Sequence, residues 1–102
     1  MKSQEPVILA LSGADIIAGM RHSPEWCPLA LAGRELFTGS YKVEVTEEGL
    51  KVYYEDGRLD VYELSPAARQ FIDFFDQGHP RKLMEEVYNG EEFHLTRKEN
   101  LK

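Results

Sequence analysis

Between Tyr41 and Val61 the chain alternates apolar and polar residues with a period of two, broken twice by turn-forming residues, and this pattern constrains the fold most. Tyr41, Val43 and Val45 fall on one face of a first strand, Leu50, Val52 and Tyr54 on one face of a second, and Leu59 and Val61 on one face of a third. A four-residue loop, Thr46-Glu47-Glu48-Gly49, pairs Val45 with Leu50 and Val43 with Val52. A two-residue loop, Asp56-Gly57, pairs Tyr54 with Leu59 and Val52 with Val61. One register then satisfies both hairpins and sends these apolar side chains to a single side. It leaves Tyr53 and Tyr62 on the opposite, outer face.

Helix signals surround this meander. Val7 to Leu11 reads as a buried strand, and Ser12 with Asp15 makes a capping-box pair ahead of a short helix over residues 14–20. The stretch Ser23-Pro24-Glu25-Trp26-Cys27-Pro28 breaks that pattern and holds the only tryptophan and the only cysteine. Pro28 suits the first position of a helix that Leu29, Ala30, Leu31, Ala32 and Leu36 carry to Phe37; Ser23 as cap with Pro24 at the first position is the alternative start. Gly33 inside this helix costs about 1 kcal/mol relative to alanine, which calls for close approach of another backbone or for an early helix end. Ser65-Pro66 opens a third helix, with Ala68, Phe71, Ile72 and Phe75 at helical spacing and Gly78 as its stop. Pro80 opens a further helix to Tyr88, closed by Asn89-Gly90, and Glu92 to Arg97 alternates as a last strand.

The expected fold is α+β: an antiparallel sheet built of the three-stranded meander plus terminal strands, with two or more helices packed on one face. A chain of 102 residues, 42% apolar and 29% charged, suffices for one core, so residues 1–97 are expected to form a single domain and 98–102 a frayed tail. The Val7–Leu11 run is too short to span a bilayer, and Asp15 interrupts it before a signal-peptide core forms. A cytoplasmic location is the default expectation, and a lone cysteine fits a reducing compartment.

The net charge of −6 is concentrated in residues 44–63, where Glu44, Glu47, Glu48, Glu55, Asp56, Asp60 and Glu63 face only Lys51 and Arg58. Such a surface repels a phosphate backbone, so nucleic acid is not expected as a partner, although Arg81, Lys82, Arg97 and Lys98 could form a local basic patch. The plain reading of the acidity is a solvated hairpin that aids solubility.

The order and spacing of these elements resemble a group of small uncharacterised proteins encoded by tailed bacteriophages and prophages. The resemblance rests on an Ile-x-x-Gly helix end (Ile16 to Gly19), a Cys-Pro-(Ile/Leu)-Ala-x-Ala helix start (Cys27 to Ala32) and a Leu-Pro-x-x-Ala turn (Leu64 to Ala68, with Ser65 where proline is usual). A Phe-Ile-x-x-Phe-Asp-x-Gly helix (Phe71 to Gly78) and a short aromatic closing strand (Phe93 to Leu95) complete it over residues 14–95. Gly33 and the extra helix from Pro80 to Tyr88 depart from the pattern. The resemblance implies an α+β fold and a phage or prophage origin, carries no active site to transfer, and makes a host-protein binder in the cytoplasm of the bacterial host the leading expectation, acting against a defence or as a host-takeover inhibitor.

No enzymatic activity, metal or cofactor is expected. Cys27 at a helix N-terminus, with His22 five residues earlier, offers a thiolate and a base, but no motif supplies an oxyanion site; the simpler reading is a small buried hydrophobe under the helix. His22, Cys27, His79 and His94 lack ligand spacing, and no glycine-rich loop has phosphate-cradling spacing. Tyr53 and Tyr62, with Glu47, Glu48 and Asp56, form the candidate partner surface, against cover of that face by a terminal segment or a second subunit. The alternative function is a homo-oligomeric sponge holding a small signalling ligand such as a nucleotide near Arg21, His22, Trp26, Cys27, Arg34 and Arg81. Core packing is the favoured reading for Trp26. Asp73 and Asp76 read as a solvated helix face, with a bond from Asp76 to a loop backbone as the alternative.

Overall fold

In the computed structural model, which describes residues 7–98, the chain runs β1 (Val7–Ala10), α1 (Gly13–Ala18), α2 (Pro28–Leu36), β2 (Ser40–Thr46), β3 (Gly49–Tyr54), β4 (Leu59–Leu64), α3 (Pro66–Asp76), α4 (Arg81–Tyr88), β5 (Glu92–Arg97). The strands form one antiparallel sheet in the order β1-β5-β4-β3-β2, and helices pack on it, which is the expected α+β architecture. Of the expected tail, residues 99–102 lie outside the described residues. Lys98 is held, its N–H donating to the Val61 carbonyl at 2.8 Å and its Nζ to the Glu48 carbonyl at 2.8 Å. Among the described residues no helix is long and apolar enough to cross a membrane.

Local chemistry explains the helix starts. The Ser12 hydroxyl accepts from the Asp15 N–H at 3.1 Å while the Asp15 carboxylate accepts from the Ser12 N–H at 3.3 Å, the reciprocal capping box. Pro28 and Pro66 occupy first-turn positions, and the Ser65 hydroxyl caps α3 through the Ala68 N–H at 3.2 Å. The alternative start at Ser23 is not used. Residues 23–27 instead close a turn, with the Ser23 hydroxyl accepting from the Trp26 N–H and the Ser23 carbonyl from the Cys27 N–H.

Gly33 lies within α2, where a Cβ would come within 2.9 Å of Val43 Cγ1; its neighbour is a side chain of β2, and the helix continues past it to Leu36. The bared backbone lets α2 settle on the sheet. Phe71, Phe75, Phe93, Leu9, Leu29, Leu50 and Val52 are fully buried in the shared core.

The first hairpin takes the expected register, with Val45 opposite Leu50 and Val43 opposite Val52. The second does not. Leu59 pairs with Tyr53 and Asp60 with Val52, one residue away from the expected pairing, so β4 presents Asp60, Tyr62 and Leu64 to the helices and turns Leu59 and Val61 outward. The cause is the turn: the Tyr54 carbonyl accepts from the Gly57 N–H at 3.0 Å and the Arg58 carbonyl from the Tyr54 N–H at 3.0 Å. This makes Glu55-Asp56-Gly57 a three-residue loop with Gly57 at φ +93°. A bulge between Ser40 and Lys42 likewise removes Tyr41 from the inner face, where it was expected, and leaves it 56% exposed.

Candidate functional site

The register places the expected partner residues apart. Tyr62 is only 6% exposed and packs on Phe37 with ring centroids 5.1 Å apart, so it belongs to the core and cannot be the outer-face anchor expected of it. Tyr53 does face outward, half-buried, with its hydroxyl donating to Glu44 at 2.9 Å, Lys42 over its ring at 4.8 Å and Tyr41 beside it at 6.4 Å. Desolvation first, then the hydrogen bond to Glu44, pushes its phenol pKa up. Glu47 and Glu48 sit at one end of β3 and Asp56 beyond the other, about 17 Å away for a strand of this length. Two of the acids in residues 44–63 are ion-paired among the described residues. Glu48 meets Lys51 at 2.9 Å, which lowers the Glu48 pKa and raises that of Lys51, while buried Asp60 accepts from Arg97 at 2.9 Å.

The expected ligand arginines are committed to the fold. Arg21 donates to the carbonyls of Phe75 (3.0 Å) and His79 (3.1 Å), Arg81 donates to the carbonyl of Gly19 (2.8 Å), and both guanidinium groups lie over the Phe75 ring. They tie the α1–α2 connection to the end of α3. Arg34 stacks on Trp26 at 4.3 Å, and Trp26 is 46% exposed, so it is a surface residue shielded by a cation instead of a core residue. The basic patch does not assemble, since Arg97 and Lys98 are bound to Asp60 and Glu48. Among the described residues no group of three or more His, Cys, Asp or Glu is placed to hold a metal ion.

What the fold does bring together is a cleft of about 340 Å³ between α3, the His22–Cys27 turn and the β2–β3 hairpin. Cys27, Val45, Leu64 and Ile72 supply its apolar lining. Its rim carries Glu47, Asp73 and Asp76 against the single guanidinium of Arg69. Each side is tied to the next: the Arg69 Nη1 donates to the Glu47 carbonyl at 3.0 Å, and the Val45 N–H to the Pro24 carbonyl at 2.8 Å. His22 stands at φ +59°, the left-handed region that few side chains adopt, and its N–H donates to Asp76 Oδ1 at 2.9 Å. The loop-backbone role of Asp76 is therefore the one the fold uses. Of the expected site residues, Glu47, His22 and Cys27 meet here. Arg69, Ile72, Asp73 and Asp76 join them from one face of α3, at helical spacings of three, four and seven residues that were readable in the sequence.

Cys27 forms the floor and is only 6% exposed. Burial raises its thiol pKa above the ordinary 9.0, the backbone N–H groups of Ala30 and Leu29 at the helix start oppose this, and the Asp76 charge adds to the rise. The helix-dipole effect is thus outweighed by desolvation. Iodoacetamide at pH 7 should label the native thiol at least about tenfold more slowly than the urea-unfolded chain; equal rates would show an open thiolate. Because the thiol ionises at lower pH in the unfolded chain, its contribution to stability is complete below pH 9.0 and is lost as pH rises through the folded value. No family model, curated protein or solved structure matches this chain.

Proposed function

We propose that the chain is a small, non-enzymatic, phage-type binding protein that engages a protein of the bacterial host through the cleft beside α3, serving as an anti-defence or host-takeover inhibitor in the host cytoplasm. The observation that carries this reading is the cleft: concave, apolar at its base, ringed by charge and built on a capped helix. The buried, protonated thiol on its floor suits packing against a ligand better than attack on one. The nucleotide-sponge alternative is weakened because Arg21 donates through Nε and Nη2 to backbone carbonyls and Arg81 donates through Nη2 to another, while the buried Arg81 Nε has no hydrogen-bond partner among the described residues.

The test fills the cleft. Ile72→Trp adds bulk at a half-buried position of α3 and should leave the circular dichroism spectrum and unfolding midpoint close to those of the parent. Host-protein capture in an affinity pull-down should fall at least about tenfold, the scale of losing one interface anchor. Undiminished capture by Ile72→Trp, particularly with loss on Tyr53→Ala, would move the contact to the outer sheet face and overturn the assignment.

A further inference from the structure

We infer that the cleft receives an extended basic side chain, lysine or arginine, of the partner protein, with its methylene stem along Ile72, Val45 and Cys27 and its cation between Asp73 and Asp76. This rests on the reading of the cleft as the binding site and specifies its occupant. Three independent features converge on a cation with an apolar stem.

Among the described residues the cleft is lined by three carboxylates, one guanidinium and the His22 imidazole, and Arg69 is already directed to the Glu47 carbonyl. Among the described residues the Asp73 carboxylate has no hydrogen bond or ion pair. Asp76 uses Oδ1 for the His22 N–H, while its Oδ2 lies 3.9 Å from His22 Nδ1, beyond hydrogen-bond length. Acceptors are thus open towards the cleft on two neighbouring turns of α3.

Their position on the helix adds to the field. Asp73 and Asp76 occupy the C-terminal part of α3, where the helix dipole is already negative, and no basic residue stands in the last turn. Two acids there oppose the dipole and weaken the helix slightly, and an incoming cation would be attracted by carboxylates and dipole together. An anionic ligand would meet repulsion from both.

The apolar base excludes the remaining occupants. A bare metal ion would leave Val45, Leu64 and Ile72 facing water, whereas a purely apolar plug would strip water from two carboxylates and return no hydrogen bond. A lysine or arginine satisfies both, because its methylenes lie on apolar surface while its charged head reaches the rim. The acidity of the whole chain would then speed encounter with a basic partner in a salt-dependent way.

The probes are the N-acetyl, N′-methylamide derivatives of lysine, arginine, norleucine and glutamate, titrated into the ¹⁵N-labelled full chain at low salt. Lysine and arginine should shift the amides of Thr46, Glu47 and residues 72–76 in a saturable way, and norleucine should bind about tenfold more weakly, the scale of one hydrogen bond to a charged group. Asp73→Asn with Asp76→Asn, which keeps an acceptor for the His22 N–H, should weaken lysine binding by about the same factor, as should 0.5 M salt. Norleucine binding as tightly as lysine, an unchanged double variant, or no cleft shifts with lysine would each overturn the occupant. If Ile72→Trp still abolishes partner capture in those cases, the cleft stands and only its occupant is wrong. If Ile72→Trp leaves capture intact, the cleft reading itself fails.

Discussion

Phe71→Ala should cost about 3–5 kcal/mol of stability, the usual price of deleting a phenyl ring from a core that cannot close over the gap. Phe71 is fully buried, and its ring stacks on Phe75 at 5.9 Å, meets Tyr88 edge-on at 4.9 Å and lies 6.1 Å from Phe93. It therefore joins α3 to α4 and to β5, and no single element can move to fill the void without uncovering another. Domains of this size have about 5–15 kcal/mol in total, so the variant should melt roughly 15–30 °C lower and lose its urea midpoint without a change in slope. A loss below about 1 kcal/mol would show that the cluster repacks and that α3 does not depend on it. Because α3 also carries Arg69, Ile72, Asp73 and Asp76, the same variant should loosen the cleft near its melting point.

The two hairpins show what local sequence could decide. Thr46 to Gly49 set the first turn, and its register followed. Asp56-Gly57 carries the signature of a two-residue turn, yet the Asp56 carboxylate accepts from the Arg58 N–H at 2.9 Å and Gly57 takes the left-handed place at the end of a three-residue loop. Periodicity could not arbitrate, because Leu59 and Val61 make one plausible inner face, and Tyr62 and Leu64 make the other. The second choice buries Asp60, whose carboxylate is compensated chiefly by Arg97, 37 residues later, which reaches it from β5 at 2.9 Å, with Arg58 at 3.9 Å as a second cation. A long-range ion pair of this kind has no local signature.

The candidate site was legible in part for the same reason. Helical spacing on α3 and the punctuation at residues 23–28 were visible. Their meeting was not, because it depends on His22 entering the left-handed region so that its N–H reaches Asp76, 54 residues away. Two aspartates three apart then look like ordinary solvated surface until the turn arrives beside them.

Gly49→Ala is expected to cost about 3 kcal/mol, combining backbone strain with overpacking. Gly49 stands at φ +135°, a conformation that L residues rarely adopt, and a Cβ built there falls 2.3 Å from the Tyr62 carbonyl oxygen. That oxygen belongs to the backbone of β4, so relief requires β3 and β4 to part at the point where Thr46 and Gly49 close the first hairpin. Gly57→Ala is the control: its φ of +93° is also left-handed, but a Cβ there meets nothing within 4 Å. It should cost only about 1 kcal/mol, the conformational part alone. The difference between the two urea midpoints isolates the clash, and equal losses would show that β4 yields without cost. The clash has a functional consequence, because the turn that Gly49 closes also presents Glu47, whose carbonyl holds Arg69 at the cleft rim. Gly49→Ala should therefore weaken lysine-probe binding at temperatures where it is still folded, whereas Gly57→Ala, in the turn at the other end of β3, should leave it unchanged.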